Sequence, residues 1–270
     1  MKVKKEYKLK LIGTEIEDYV IEKKIWQGAT STVYKAERIR GNSLYGEFIA
    51  IKILHPYREH PLQKKQFIRE AKIAMRLNHP NIVKVYKVGK KENLLYMIME
   101  YVDGKSLRQM MQENNIPPEK FLFICWEVGK ALLYIHRNRI LHLDVKPENI
   151  IVSFDFEKIK LTDFGYARPA KSWLWRRSFI PGGTEKYMAP EQKTGKVDER
   201  TDIYSYGKIL QEIFLEDFDT QDEILRGIIS KSISQNPSQR YQSMEELMRE
   251  LQKLINKNEV RNNCRYSRQS

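Results

Sequence analysis

The chain is poor in the residues that would define several common protein classes. Two cysteines, Cys125 and Cys264, are too few for a disulfide framework and lack zinc-ligand spacing. The pair suits a reducing compartment, so a cytoplasmic location is expected. Long apolar runs are missing too. A stretch such as Leu94–Met99 is far short of a bilayer span, so no transmembrane segment is expected. The Lys-rich start is not followed by the apolar region of a secretory signal. There is no internal repeat, no low-complexity segment and no nucleic-acid-binding motif, so no nucleic-acid partner is expected.

What is present is an ordinary globular composition with a strong positive charge. The 270 residues are 41% hydrophobic and 31% charged, with a net charge of +13. That length fits one large domain or two small lobes. About half of the excess charge lies at the ends. Residues 1–10 hold five Lys against Glu6, and residues 257–270 hold Lys257, Arg261, Arg265 and Arg268 against Glu259. Solvated tails explain this more simply than contact with acidic lipid or nucleic acid.

The pattern changes character along the chain. Runs rich in Val, Ile and Tyr at Tyr19–Ile25, Thr32–Arg38, Phe48–Leu54, Ile82–Val88 and Leu94–Glu100 read as strands, with Asn42 and Gly46 bracketing a turn. One helix from Pro61 interrupts them. Its apolar stripe is Phe67, Ile68, Ala71, Ala74, Met75 and Leu77, and Asn78-His79-Pro80 ends it. From residue 105 the pattern is helical: Ser106–Asn114, Pro118–Arg137, Thr201–Phe214 and Ser243–Ile255. In the long helix, Leu122, Cys125, Trp126, Val128, Gly129, Leu132 and Leu133 are expected to face inward. Ser243 and Glu246 match a capping box. The stretches 142–149 and 163–191 are irregular, and a loop near thirty residues is ordinarily functional.

Five segments have chemical content. In Ile25-Trp26-Gln27-Gly28-Ala29-Thr30-Ser31-Thr32-Val33, small residues between two strands let backbone N–H groups approach phosphate oxygens, although one Gly in a hairpin is ordinarily only a turn. Lys52 closes the apolar strand Phe48–Lys52 and is costly to bury unpaired; Glu70 on the striped helix is its candidate partner, with Arg69 and Lys72 facing solvent. In His142-Leu143-Asp144-Val145-Lys146-Pro147-Glu148-Asn149, the Asp can accept a hydroxyl proton, the Lys can balance phosphate charge and the Asn can ligate a metal. Asp163, before Phe164 and Gly165, is a hard oxygen ligand at a strand end. The fifth segment is Gly183-Thr184-Glu185-Lys186-Tyr187-Met188-Ala189-Pro190-Glu191.

In this order the segments resemble the protein kinase set of Gly-rich loop, strand Lys, helix Glu, catalytic loop, D-F-G and A-P-E. Asp202 resembles the family's buried helix Asp that braces the catalytic loop, and Arg240 the Arg that pairs with the A-P-E Glu, here Glu191. The sequence is similar to eukaryotic-type (Hanks-type) Ser/Thr kinases with a bacterial texture over about residues 19–256. The resemblance implies an α+β bilobal fold, with a small mainly antiparallel β lobe containing one key helix and a larger mainly helical lobe. The expected organisation is a basic extension at 1–18, lobes at 19–100 and 101–256, and a basic tail at 257–270.

The same resemblance implies residue roles. Lys52 holds the α- and β-phosphates of ATP and is itself held by Glu70. Gly28 has the closest backbone approach to phosphate. Asn149 and Asp163 hold Mg2+, with Mn2+ as an alternative. Asp144 orients and deprotonates the substrate hydroxyl, and Lys146 sits by the γ-phosphate. Adenine lies among Val33, Ala50 and Ile151, Met99 is the gatekeeper, and Glu100 and Val102 offer backbone hydrogen bonds. Lys146 and Thr184 match the Ser/Thr pattern. The partner is a protein substrate, and the chain is expected to be a monomer or weak dimer. The activation-segment cations Arg168, Lys171, Arg176 and Arg177, beside Trp173 and Trp175, suggest an acidic one.

Four departures from the family pattern stand out. Trp26 and Ser31 replace the outer loop glycines. Leu143 replaces the Arg of H-R-D, which normally reads a phosphate on the activation loop. Ala74 is small for its position. About 25 residues separate Phe214 from Arg240, suggesting a reduced substrate-docking helix. With these departures, a pseudokinase acting as a nucleotide-binding scaffold is the alternative function.

Overall fold

The computed structural model describes residues 11–39, 46–55, 61–170, 185–217 and 221–266; side chains are described to residue 256, except those of 216–217. The basic residues 1–10, the turn residue Asn42, the activation-segment residues 171–184 and the last four residues lie outside these. The chain divides into two compact units. One runs to Met75 and includes Lys84–Tyr101; the other comprises Arg76–Val83 and Val102 onward.

The first unit is built on a sheet of β1 (Glu15–Ile16), β2 (Tyr19–Gln27), β3 (Ser31–Arg38), β4 (Phe48–Leu54), β5 (Val85–Lys91) and β6 (Leu94–Glu100), in the order β1-β2-β3-β4-β6-β5. All its pairings are antiparallel. Alternation along β4 decides what each face does. Ile49, Ile51 and Ile53 enter a core with Ile16, Tyr19, Ile21, Tyr34, Ala36, Tyr96 and Ile98. Each such Ile contributes roughly 1.5–3 kcal/mol by burial. Ala50, Lys52 and Leu54 point to the other face. The helix α1 (Pro61–Ala74) buries Phe67, Glu70, Ala71 and Ala74. It stops before Met75, which is exposed. Arg69 is half-buried rather than facing solvent, and burial lowers its pKa against the opposing pull of Glu70.

The expected strand at Ile82–Val88 starts only at Val85. Residues 81–83 are occupied elsewhere: Val83 N–H donates to the Leu161 carbonyl at 3.0 Å, and the Asn81 amide donates to Glu127 at 2.7 Å and to the Ile159 carbonyl at 3.0 Å.

The second unit is mainly helical. Its elements are β7 (Gly104–Ser106), α2 (Leu107–Gln112), α3 (Pro118–Arg137), β8 (Ile140–Leu141), β9 (Ile150–Ser153), β10 (Ile159–Leu161), β11 (Arg168–Pro169), α4 (Glu199–Gln211), α5 (Glu223–Ser232) and α6 (Met244–Tyr266). Ser106 caps α2 in a reciprocal box with Gln109. On α3 the buried stripe is Phe121, Ile124, Cys125, Val128, Gly129, Ala131, Leu132, Ile135 and His136, so Leu122, Trp126 and Leu133 sit at its margin. Asp198 caps α4, which starts two residues before the expected Thr201 and passes into a wider turn at Glu212–Asp217. Ser243 accepts the Glu246 N–H at 3.2 Å as expected, but the Glu246 carboxylate accepts from Gln242 rather than from Ser243 itself.

The span between Phe214 and Arg240 contains α5, which the sequence pattern does not reveal. Asp222 caps it, and Leu225, Ile228 and Ile229 are buried. It packs so closely on α4 that a Cβ at Gly207 would fall 2.5 Å from the Ser232 Cβ. The small residue is required there.

Candidate active site

The first unit presents a paired ammonium. Lys52 Nζ lies 2.6 Å from Glu70 Oε1, and each side chain is about 9% exposed. Two charges this buried are tolerated because each is the other's counter-ion. Lys52 lies opposite Val33 on β3 and Met97 on β6, and Ala50 lies opposite Met99. Directly opposed residues share a face, so Val33, Ala50, Lys52 and Met99 are brought together on the face away from the isoleucine core. Gly28 sits at the β2–β3 turn, where its N–H donates to the Ser31 carbonyl at 2.9 Å. The N–H of Glu100 donates to the Lys84 carbonyl at 2.8 Å and so is already engaged within the sheet unit.

In the second unit the catalytic-loop residues are pinned from below. Asp202, fully buried on α4, accepts the N–H of His142 at 2.8 Å and of Leu143 at 2.7 Å, and the His136 Nε2 at 2.9 Å. Burial alone would raise its pKa; the His136 bond, the nearby imidazoles and the His142 N–H together hold it below the ordinary value. These bonds keep Leu143 in a left-handed conformation, φ +66°, that a branched side chain rarely adopts. The Leu143 side chain is itself buried, and its carbonyl accepts from Gln192 Nε2 at 3.1 Å.

That geometry places Asp144. Its Oδ2 is 2.8 Å from Lys146 Nζ, and Asn149 Nδ2 donates to both its carbonyl and Oδ2 at 2.9 Å. Burial raises the Asp144 pKa, partly opposed by Lys146. His142 is fixed as the Nε2–H tautomer, because Nε2 faces the Thr162 carbonyl at 3.2 Å while Nδ1 accepts the Asp144 N–H at 3.3 Å. Its ring also rests 4.9 Å from Phe164. Asp163 follows Thr162 with φ +64° and accepts the Gly165 N–H at 3.2 Å. Ile151 lies on β9 between two fully buried neighbours, Ile150 and Val152, and so points to the opposite face.

Two further anchors hold the segment after residue 184. Arg240 is fully buried and makes a bidentate pair with Glu191, at 2.8 and 2.9 Å. Its remaining donors are taken by the carbonyls of Ser234, Arg200 and Gln235. The second anchor was not foreseen from sequence. Arg108 on α2 donates to Glu148 at 2.9 Å and to Glu212 at 2.8 Å, and Lys186 and Tyr187 also bond to Glu212. Although burial opposes it, this set of donors holds the Glu212 pKa at about 2. Of the activation-segment residues singled out, Arg168 lies on β11 opposite Leu141. Lys171, Trp173, Trp175, Arg176, Arg177 and Thr184 lie outside the described residues.

Oxygen donors from Asn149 and Asp163 are of the kind that Mg2+ takes together with phosphate oxygens. Asn149 spends its nitrogen on Asp144, which leaves its oxygen as an acceptor. Among the described residues no cluster of three or more His, Cys, Asp or Glu side chains could hold a metal without such help.

Comparison with known proteins gives the class. Residues 19–269 match the family model described as the protein kinase domain, and the chain belongs to that family. Serine/threonine-protein kinases of bacteria are among its relatives. The chain is 35% identical to the serine/threonine-protein kinase PknB of Mycobacterium leprae, over 83% of its own length and 41% of the relative's. It is 35% identical to PrkC of Bacillus subtilis, over 75% and 31%. It therefore spans well under half the length of these relatives. The kinase domain of Mycobacterium tuberculosis PknI superposes with a TM-score of 0.69 at 25% identity, covering 90% of this chain and 98% of that one. The small β-sheet unit and the larger helical unit are those of the bilobal kinase fold. No helix among the described residues is long and apolar enough to cross a membrane.

Proposed function

We propose that this chain transfers the γ-phosphate of ATP to serine or threonine hydroxyls of protein substrates in a signalling role. The observation that carries the reading is Asp144, a buried carboxylate bonded to Lys146 and Asn149. Its raised pKa makes it a better proton acceptor than an exposed Asp. In this reading Lys146 balances the charge of the transferred group. Lys52, oriented by Glu70, neutralises the α- and β-phosphates. Gly28 lets the turn approach phosphate, and Val33, Ala50, Met99 and Ile151 supply apolar contacts for adenine. The Glu100 carbonyl and the Val102 backbone supply polar ones. Asn149 and Asp163 would hold Mg2+, or Mn2+ in its place; bound metal supplies charge neutralisation between phosphate oxygens. The functional lobes are proposed as 19–100 and 101–256, flanked by basic ends. A cytoplasmic monomer or weak dimer, itself a phosphoprotein and acting on acidic protein substrates, completes the reading.

Every phosphate, metal and base position is filled, which supports catalysis over a scaffold role. Transfer of labelled γ-phosphate to an acidic and a basic carrier protein, with and without Mg2+, tests it. Metal-dependent labelling by the wild type that is lost in Asp144→Asn is expected. Nucleotide binding without any transfer would favour the scaffold.

A further inference from the structure

Trp26 is the one departure in the phosphate-binding turn that brings in a large side chain. It lies opposite Val33, and Val33 lies opposite Lys52. The indole therefore stands on the sheet face that bears Lys52 and Ala50, away from the isoleucine core. It is 45% exposed, so packing in the core does not account for it. Instead the ring folds back over its own turn. A Cβ built on Gly28 would fall 2.1 Å from the indole Cη2, with two more ring carbons within 2.9 Å. The bare side of Gly28, the surface that lets a backbone come close to phosphate oxygens, is covered by the indole.

The other side of the turn is fixed. The Thr30 carbonyl accepts the His55 N–H at 2.8 Å, and the Thr32 hydroxyl meets the His55 ring at 2.8 Å, with both side chains buried. If phosphate is to reach Gly28, the exposed indole is therefore the part that moves.

We infer that Trp26 is a cover on the nucleotide site: its ring occupies the approach to Gly28, and nucleotide binds only when the ring has swung aside. This rests on the kinase reading of the Gly28 turn. Apparent affinity falls in proportion to the fraction of molecules in the binding-competent state, so deleting the ring tightens binding. Trp26→Ala and Trp26→Ser both remove the indole without adding a glycine, and at an exposed position neither threatens the fold.

The test is calorimetric titration of the full chain with Mg-ADP, together with hydrogen exchange of the nucleotide-free protein. Both variants are expected to bind at least threefold more tightly than wild type and to exchange the amides of residues 27–31 faster. Binding that is unchanged in both variants overturns the inference. Weaker binding in both overturns it too, by making the indole a direct contact for the nucleotide. Absence of ADP binding in the wild type and in both variants defeats the kinase reading along with the cover, whereas a wild type that binds ADP as tightly as its variants defeats the cover alone.

Discussion

Replacing Asp202 by Asn removes one charge and almost no volume, so it isolates what the buried carboxylate does. In the wild type, Oδ1 takes the Leu143 N–H, and Oδ2 takes the His142 N–H and the His136 ring. An Asn can present its oxygen to only one of these groups. The better choice keeps oxygen toward His142 and His136 and turns the NH2 toward the Leu143 N–H, donor against donor. That leaves a buried amide unsatisfied and removes a hydrogen bond to a charged acceptor, together about 3 kcal/mol. The loss falls on Leu143, whose left-handed φ is held by this bond and which precedes Asp144. A shift of about 1 Å in a catalytic group costs on the order of 100-fold in rate. We expect Asp202→Asn to lower Tm by roughly 6–12 °C and to lower kcat by at least tenfold, with little change in nucleotide affinity. Scanning calorimetry with steady-state phosphotransfer checks both. A variant with kcat within threefold of wild type and Tm within about 2 °C would show that Asp202 does not hold the loop.

Three other outcomes can be checked. Arg240→Met strands the Glu191 charge and should cost about 3–5 kcal/mol, whereas Glu191→Gln with Arg240→Met should recover part of the loss; a strictly additive double variant in urea unfolding would refute the pairing. Because the folded pKa of Glu212 is about 2 against an ordinary 4.5, its contribution is full above about pH 4.5 and is lost as pH falls toward 2; Glu212→Gln should flatten the acid limb of the stability profile, and an unchanged profile would count against the Arg108 network. With Leu143 buried and held at both its N–H and its carbonyl where the family has an Arg, phosphate on the activation-segment hydroxyls Ser172, Ser178 or Thr184 is not expected to be needed to position the loop, so phosphatase-treated enzyme should retain most of its rate; a tenfold drop would sink that expectation.

What the residues by themselves revealed was mostly local, whereas the distant pairs of Glu191 with Arg240 and of Asp202 with the loop at 142–143 were legible only through the family resemblance. Asp144, Lys146 and Asn149 come from one short loop, and their convergence is nearly dictated by that spacing. Lys52 and Glu70 were legible because a Lys on an apolar strand demands a counter-ion and a striped helix offers one. The Arg108–Glu212 contact spans 104 residues and obeys no periodicity, so only the folded chain shows it. Helix α5 escaped because Gly227, Ser230 and Ser232 dilute its apolar repeat, although Asp222 was a readable cap. At the margins of the α3 stripe, Leu122, Trp126 and Leu133 are as apolar as the residues that are fully buried, so composition does not separate the two sets. Strand β5 begins only at Val85 because Ile82 and Val83, although strand-like in composition, bridge to Leu161 on β10.

The alternation along β4 works like a reading frame. Odd-numbered residues from Ile49 to Ile53 feed the core, and even-numbered ones from Ala50 to Leu54 face the opposite side of the sheet. A single-residue insertion or deletion between Ile49 and Lys52 would exchange the two sets, driving an ammonium into the isoleucine cluster and turning isoleucines outward. Substitutions in this strand can be graded, but a change in its length cannot: the strand that builds the core also aims the lysine, so indels here would be purged even where point changes are tolerated.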